Sequence, residues 1–263
     1  MKTRLDVLLV EQGYFTSREK AKASIMAGLV FVDGQISDKA GNMISEDAHI
    51  EVKGSDCPYV SRGGFKLEKA LKVFSINVQG FHCVDIGAST GGFTDCLLQN
   101  GAEKVYSVDV GYGQLDYNLR QDPRVVCMEK VNFRYMQEDD IAEKLDFACA
   151  DVSFISLKHM FPVVAKMLKD TGEIACLVKP QFESSKDQVG KNGIIHDPLV
   201  HKEVIKKVIS YALDNDLYPL NLDFSPVTGA KGNIEFLLHL TKKTVDIELD
   251  IDSVVKKAHE ELD

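Results

Sequence analysis

Eleven residues, DIGASTGGFTD from Asp85 to Asp95, combine a carboxylate with three glycines between an apolar run and a helix-compatible segment. A strand, a glycine-rich turn and a helix place a ligand at the helix N-terminus. The spacing excludes two phosphate sites. A G-x-G-x-x-G dinucleotide loop needs glycine at position 89, which is serine, and a phosphate-cradling G-K-[ST] loop needs a lysine, of which there is none between 85 and 95. A second acid, Asp109, ends the next apolar run, KVYSVDVG. Acids at that place accept hydrogen bonds from ribose hydroxyls.

A glycine turn without a phosphate-binding lysine, followed by a strand-end acid, suits a nucleoside lacking phosphates. S-adenosylmethionine is such a ligand, and its ammonium group favours a carboxylate such as Asp85 over a lysine. The turn residues Gly87, Ser89, Thr90, Gly91, Gly92 and Phe93 are the candidates for cradling it. The alternative is a tight strand–helix turn holding nothing. Four further polar residues stand where charge is costly. Lys66 follows SRGG at the start of a helix, Asp151 closes ACADVSF, Lys179 closes ACLVKP, and Glu235 is embedded in GNIEFLLHL. Asp151 and Lys179 end consecutive predicted parallel strands, on the edge where such sheets bind ligands.

The elements that must position these groups follow from periodicity. From His82 onward strand and helix alternate: CVDIGA, KVYSVDVG, VVCMEK, LDFACADVSF, EIACLVKP, YPLNLDFSP and NIEFLLHL read as strands, with helical segments between most of them. The strands are continuous apolar runs, as in a parallel sheet covered on both faces. FKLEKALKVF (65–74) reads as an amphipathic helix. Residues 1–56 form a separate small α+β unit. It has a short helix around Leu5–Val10, a second helix entered through Thr16 or Ser17 with Glu19, a hairpin turning on Asp33-Gly34, and a strand in DAHIEVKG. Residues 57–64 read as a linker, 65–245 as the main α/β domain, and 246–263 as a charged tail.

Composition narrows the function classes. The chain has 263 residues, 44% hydrophobic and 27% charged, with a net charge of −9, and no apolar run reaches the roughly 18–20 residues that span a bilayer. Together with a start too short and too charged for a signal peptide, this reads as a cytoplasmic protein with no membrane partner. The six cysteines, no two closer than 13 positions, argue for reduced buried thiols and against a metal site or a disulfide framework. The net charge alone argues against nucleic acid, but its distribution is uneven. Residues 1–80 carry 11 Lys/Arg against 10 Asp/Glu, whereas the rest carry 20 against 30. A polyanion would be met locally, by the front.

DIGASTGGFTD, LVKPQFE and SPVTGAKGNIEFL resemble the FtsJ/RrmJ-type ribose 2′-O-methyltransferases. Within them SRGGFKL and VGKNGIIHDP resemble the TlyA group, whose members are often labelled hemolysin A. RLDVLLVEQG and SREKAKASIMAGLVFVDGQ resemble the small RNA-binding domain named after ribosomal protein S4. The resemblance covers nearly the whole chain. It implies a Rossmann-like methyltransferase with a mostly parallel seven-stranded sheet and an S4-like front, using S-adenosylmethionine to methylate ribose, of cytidine, in ribosomal RNA or ribosomal subunits. It also implies a Lys-Asp-Lys-Glu tetrad, and Lys66, Asp151, Lys179 and Glu235 fall on its motifs, with Asp151 also beside the cofactor. Lys179 is the expected general base, and Glu235 steadies Lys66 or the ribose. Arg4, Arg18, Lys20, Lys22 and Arg62 are the candidates for RNA phosphates, each equally able to be an ordinary surface charge. The sequence leaves other readings open: an assembly protein that binds RNA without catalysis, a pore-forming protein, or a small-molecule methyltransferase. It does not speak to oligomeric state.

Overall fold

The computed structural model of the chain describes residues 2–15, 17–26, 28–52, 57–185, 187–229 and 232–262. The expected boundary at residue 56 and the alternative cap Thr16 lie outside the described residues.

The front begins with β1 (Lys2–Arg4), α1 (Leu5–Glu11) and α2 (Arg18–Met26), followed by β2 (Val30–Val32), β3 (Gln35–Ile36), β4 (Met43–Ser45) and β5 (Ile50–Val52). Ser17 enters α2 by accepting the Lys20 N–H at 3.3 Å on its hydroxyl. The hairpin β2–β3 turns on Asp33 (φ 50°) and Gly34 (φ 80°), the left-handed pair that a two-residue turn of this hand requires. β5 completes a three-stranded sheet, and β1 pairs with β4. That second pairing has no periodic signal, because both strands are three residues long. Leu5, Leu8, Leu9, Phe15, Ile25 and Val30 form the core of this unit.

Asp6 is fully buried in that small core. Its carboxylate accepts from Arg4 Nε at 2.9 Å and from Arg18 Nη2 at 2.8 Å. Burial alone would raise its pKa, but the two guanidinium groups outweigh it and hold the carboxyl at about 2.

The larger unit opens with α3 (Gly63–Val73), which starts two residues before the apolar periodicity does. It continues with β6 (His82–Ile86), α4 (Gly92–Gln99), β7 (Lys104–Asp109), α5 (Tyr117–Gln121), β8 (Val125–Glu129), β9 (Leu145–Ala150), α6 (Phe161–Met167), β10 (Leu168–Val178), α7 (Pro180–Glu183), α8 (Pro198–Leu213), β11 (Tyr218–Phe224), β12 (Phe236–Thr241) and α9 (Ile251–Leu262). The seven strands form one sheet in the order β11-β12-β10-β9-β6-β7-β8. Pairings from β10 to β8 are parallel, and β12 runs antiparallel to both β10 and β11. Apolar clusters cover both faces, one centred on Phe161, Phe236 and Val208, the other on Leu67, Leu97 and Phe147. The charged tail contributes to the first: α9 buries Val255 and Ala258 completely and packs on α8 and β11. Its amphipathic spacing supplies only two buried residues, so charge dominates its sequence.

The buried Asp6 makes the stability of the front sensitive to acid. In the unfolded chain the Asp6 carboxyl titrates near ~4, so its ion pairs stabilise the front fully above that pH and are lost as pH falls from about 4 to 2. Asp6→Asn is expected to lower stability at pH 6 and to flatten the acid limb of stability between pH 4 and 2, as read by urea unfolding monitored across that range.

Candidate active site

The sheet edge explains why distant residues meet. In a parallel array every strand delivers its last residue to the same edge. Asp151 directly follows β9 and Lys179 directly follows β10, adjacent parallel strands. β12 is antiparallel, so the residue just before its start, Glu235, arrives at that same edge. Lys66, in the first turn of α3, points in from the side. Together they line one cavity of about 420 Å³.

The contacts form a chain of alternating charge. Lys66 Nζ donates to Glu235 Oε2 at 2.7 Å and to Asp151 Oδ2 at 3.2 Å. Lys179 pairs with Asp151 Oδ1 and donates to Ser153 Oγ at 3.0 Å. Lys66, Lys179 and Glu235 are buried, and the Asp151 side chain keeps 20% of its surface exposed. Burial would push Lys66 down, yet Asp151 and Glu235 together hold its pKa above the ordinary lysine range. Burial would likewise raise Asp151, and the two lysines hold it below the usual carboxylate range. Two cations and two anions leave this chain of four electrically balanced.

The glycine turn forms the adjoining wall. Gly87 has φ +84°, and a Cβ there would stand 2.9 Å from the Asp151 carbonyl oxygen. Gly92 lets α4 approach α3, since a Cβ would meet the Gly64 backbone nitrogen at 2.9 Å. Asp109 accepts the Ser89 N–H at 2.8 Å and the Gly111 N–H at 2.7 Å, which ties the turn to the end of β7. A second cavity of about 500 Å³ runs past Asp109, Asn132 and Phe133, and shares Gly87, Ser89, Asp151, Ser153 and Phe154 with the first. The two lobes together offer room for a nucleoside with an amino-acid arm.

Asp85 departs from the simple picture of an open carboxylate awaiting a cation. It is fully buried, and Oδ2 accepts both the Thr94 N–H at 2.9 Å and the Thr94 hydroxyl at 2.7 Å. Oδ1 is buried with no hydrogen-bond partner, and Asp85 lines the first cavity. Burial pushes its pKa up to about 7 against the pull of Thr94. An orphaned carboxylate oxygen on a residue that lines the cavity, beside a glycine turn too tightly packed to carry side chains, fits a ligand carrying an ammonium group.

Of the other residues anticipated, Ser89, Thr90, Gly92, Phe93 and Arg62 line the first cavity. Gly91 sits behind the turn, at φ +97° against Leu115 and Leu119. Arg4, Arg18 and Lys20 are exposed on the front, and Lys22 is half-buried there. The sequence reading missed Ser153, Phe154 and Phe182. Phe154 has φ 63° and is 91% exposed, and its ring lies 4.9 Å from that of Phe182, both at the cavity. An aromatic residue just past a strand-end acid, in ADVSF, was the available signal. Met26 of α2 also lines the cavity, so the front supplies part of its wall. Among the described residues no cluster of metal-ligating side chains occurs, and no helix is long and apolar enough to cross a membrane.

Comparison with known proteins bears on this geometry. Residues 59–242 match the FtsJ-like methyltransferase profile and residues 3–50 the S4 domain profile. A candidate rRNA methyltransferase of Bacillus subtilis, YqxC, is 53% identical over 91% of this chain and 85% of its own length. The 16S/23S rRNA (cytidine-2′-O)-methyltransferase TlyA of Mycobacterium tuberculosis is 41% identical over 92% of this chain and 91% of its own. The solved structure of a candidate hemolysin from Streptococcus thermophilus superposes with a TM-score of 0.79, at 49% identity, covering 99% of this chain and 96% of that one.

Removing one member of a balanced buried set leaves its partner uncompensated. Lys66→Met is expected to destabilise the chain by about 3–5 kcal/mol. The double variant Lys66→Met/Glu235→Gln is expected to recover a large part of that loss, because the charge on each side of the pair is then gone. Denaturant unfolding of the two single variants and the double variant measures the coupling.

Proposed function

Because the chain belongs to the FtsJ-like methyltransferase family and carries an S4 domain at its front, we propose that it methylates the ribose 2′-hydroxyl of a cytidine in ribosomal RNA, with S-adenosylmethionine as donor. The observation that carries this reading is the convergence of Lys66, Asp151, Lys179 and Glu235 in one cavity beside the glycine cradle. Relatives that act on cytidine in ribosomal RNA support the substrate class.

S-adenosylmethionine, when bound, supplies a methyl carbon made electrophilic by its sulfonium. The chain does the rest by position and proton transfer. Lys179 Nζ takes the proton of the 2′-hydroxyl as that oxygen displaces the methyl carbon from sulfur, so that the O–C bond would form as the C–S bond breaks and the donor would leave as the neutral thioether; Lys179 then passes the proton on to water. An amine accepts a proton only in its neutral form, so Lys179, an ammonium in the resting ion pair with Asp151, first gives a proton to solvent, and Asp151 and Ser153 then aim the amine. Lys66 binds the far oxygen of Asp151 and is itself anchored by Glu235, which keeps Asp151 from swinging away. Phe154, exposed at the rim beside Phe182, offers a flat face on which a base turned out of its stack can rest. The cradle residues Gly87, Ser89, Thr90, Gly91, Gly92 and Phe93 hold the donor, with Asp109 toward its ribose. Arg4 and Arg18, each half exposed and braced by Asp6, retain N–H groups for phosphate, and Lys20, Lys22 and Arg62 extend that basic set.

Two measurements test the reading. Lys179→Ala is expected to bind S-adenosylmethionine with affinity within about twofold of the parent, while methyl transfer to ribosomal RNA falls by at least ~10²-fold, the scale of a lost general base; tritium transfer and calorimetry provide the two numbers. Wild-type turnover in that variant sinks the assignment. Lys20→Ala/Lys22→Ala, which leaves the partners of Asp6 in place, is expected to weaken RNA binding and to reduce the slope of log affinity against log salt by about 2, one for each lost phosphate contact.

A further inference from the structure

One buried polar group in the cavity wall is held in a way the reaction itself does not require. Asp85 near the end of β6, Thr94 in the first turn of α4 and Ser107 in β7 are all buried, and their side chains form a continuous line. The Thr94 hydroxyl has one proton, and it donates that proton to Asp85 Oδ2 at 2.7 Å. The 2.7 Å contact between Thr94 Oγ1 and Ser107 Oγ is therefore a donation from serine to threonine. The Thr94 N–H reaches the same Asp85 oxygen at 2.9 Å. Three donors from two elements thus converge, directly or in relay, on Oδ2, and none on Oδ1.

We propose that Thr94 and Ser107 are positioning residues for cofactor capture: their hydroxyl relay pins one oxygen of Asp85 so that the other is presented, bare, to the ammonium group of the methyl donor. The inference rests on the use of S-adenosylmethionine proposed above. Hydrogen bonds that polarise one another in a dry setting strengthen cooperatively, and a carboxylate restrained on one side loses no rotational freedom when a cation arrives. The charged neighbours of Asp85 set the balance. Asp109 at the end of β7 and Asp151 beyond β9 both oppose its ionisation, as burial does, and Thr94 favours it. Cys149, opposite Asp85 on β9, stays a neutral thiol because burial raises it far above its usual range. Lys66 and Lys179 are occupied by Asp151 and Glu235. The contact needs an ionised carboxylate and a protonated ammonium, so affinity rises with pH until Asp85 has lost its proton, near 7, and falls again where the ligand's α-ammonium loses its own, near ~8. Removing the relay makes ionisation of Asp85 harder and moves the first of these points upward.

The test is calorimetric titration of the full chain between pH 5.5 and 8.5 with two ligands. One is S-adenosylmethionine; the other is 5′-methylthioadenosine, which keeps the nucleoside and lacks the amino-acid arm. For the wild type, S-adenosylmethionine affinity is expected to rise by up to about tenfold per pH unit below the midpoint, and 5′-methylthioadenosine affinity to stay flat. In Thr94→Val the midpoint is expected to move up by about one unit, with affinity at pH 7 reduced some three- to tenfold for S-adenosylmethionine and unchanged for 5′-methylthioadenosine. Ser107→Ala is expected to give a smaller shift in the same direction, and Thr94→Ser to restore the wild-type curve. Equal losses for both ligands would make Thr94 a structural support of the turn and overturn the proposal, as would an S-adenosylmethionine curve identical in Thr94→Val and the wild type. If neither ligand binds the wild type, the cofactor reading falls first and takes this one with it.

Discussion

The Asp151 carboxylate, held between two lysines, is the interaction on which the remaining site geometry depends. Each of its oxygens meets one ammonium group, and each lysine comes from a different element, α3 and the end of β10. A buried anion with two buried cations would leave that group of three positive, and Glu235 restores neutrality from β12. This requirement reaches into the topology. The fourth group can join the other three only because β12 runs against its neighbours, which sends the start of that strand to the edge where β9 and β10 finish. The strand reversal is thus a condition of the charge balance.

The same edge carries the cofactor cradle, and the two are mechanically joined. Gly87 packs so closely on the backbone of Asp151 that no side chain fits between them. A shift of the turn is transmitted to the carboxylate that aims Lys179, and the reverse. Proteins gain rate by fixing such groups to within fractions of an ångström, and here the fixing is done by direct backbone contact between two strand ends.

Much of this was legible in the sequence. Charged residues closing apolar runs, as in ACADVSF and ACLVKP, announce themselves because a strand has no other use for them, and the parallel pattern sends them to one edge. The Asp33-Gly34 hairpin was equally plain, since few residues other than these tolerate two successive positive φ angles. What stayed hidden depended on partners with ordinary identities. Asp85 reads as a free acceptor, and nothing in FTD says that Thr94, nine positions on, will turn its hydroxyl inward. The packing of α9 was masked by its charges, and the pairing of β1 with β4 by its brevity. Phe154 looks like one more apolar residue until its backbone enters the left-handed region and exposes the ring.

Met26 belongs to the front, yet it lines the cavity that contains Lys179. The chamber is therefore closed on one side by a module whose sequence has nothing to do with chemistry. Removing the front would leave every charged group of the pocket in place but take away that part of the wall. Attractions that are strong in a dry cleft shrink severalfold once solvent screens them. Grip and reactivity are in this sense a single property of the assembled molecule, which neither half holds alone.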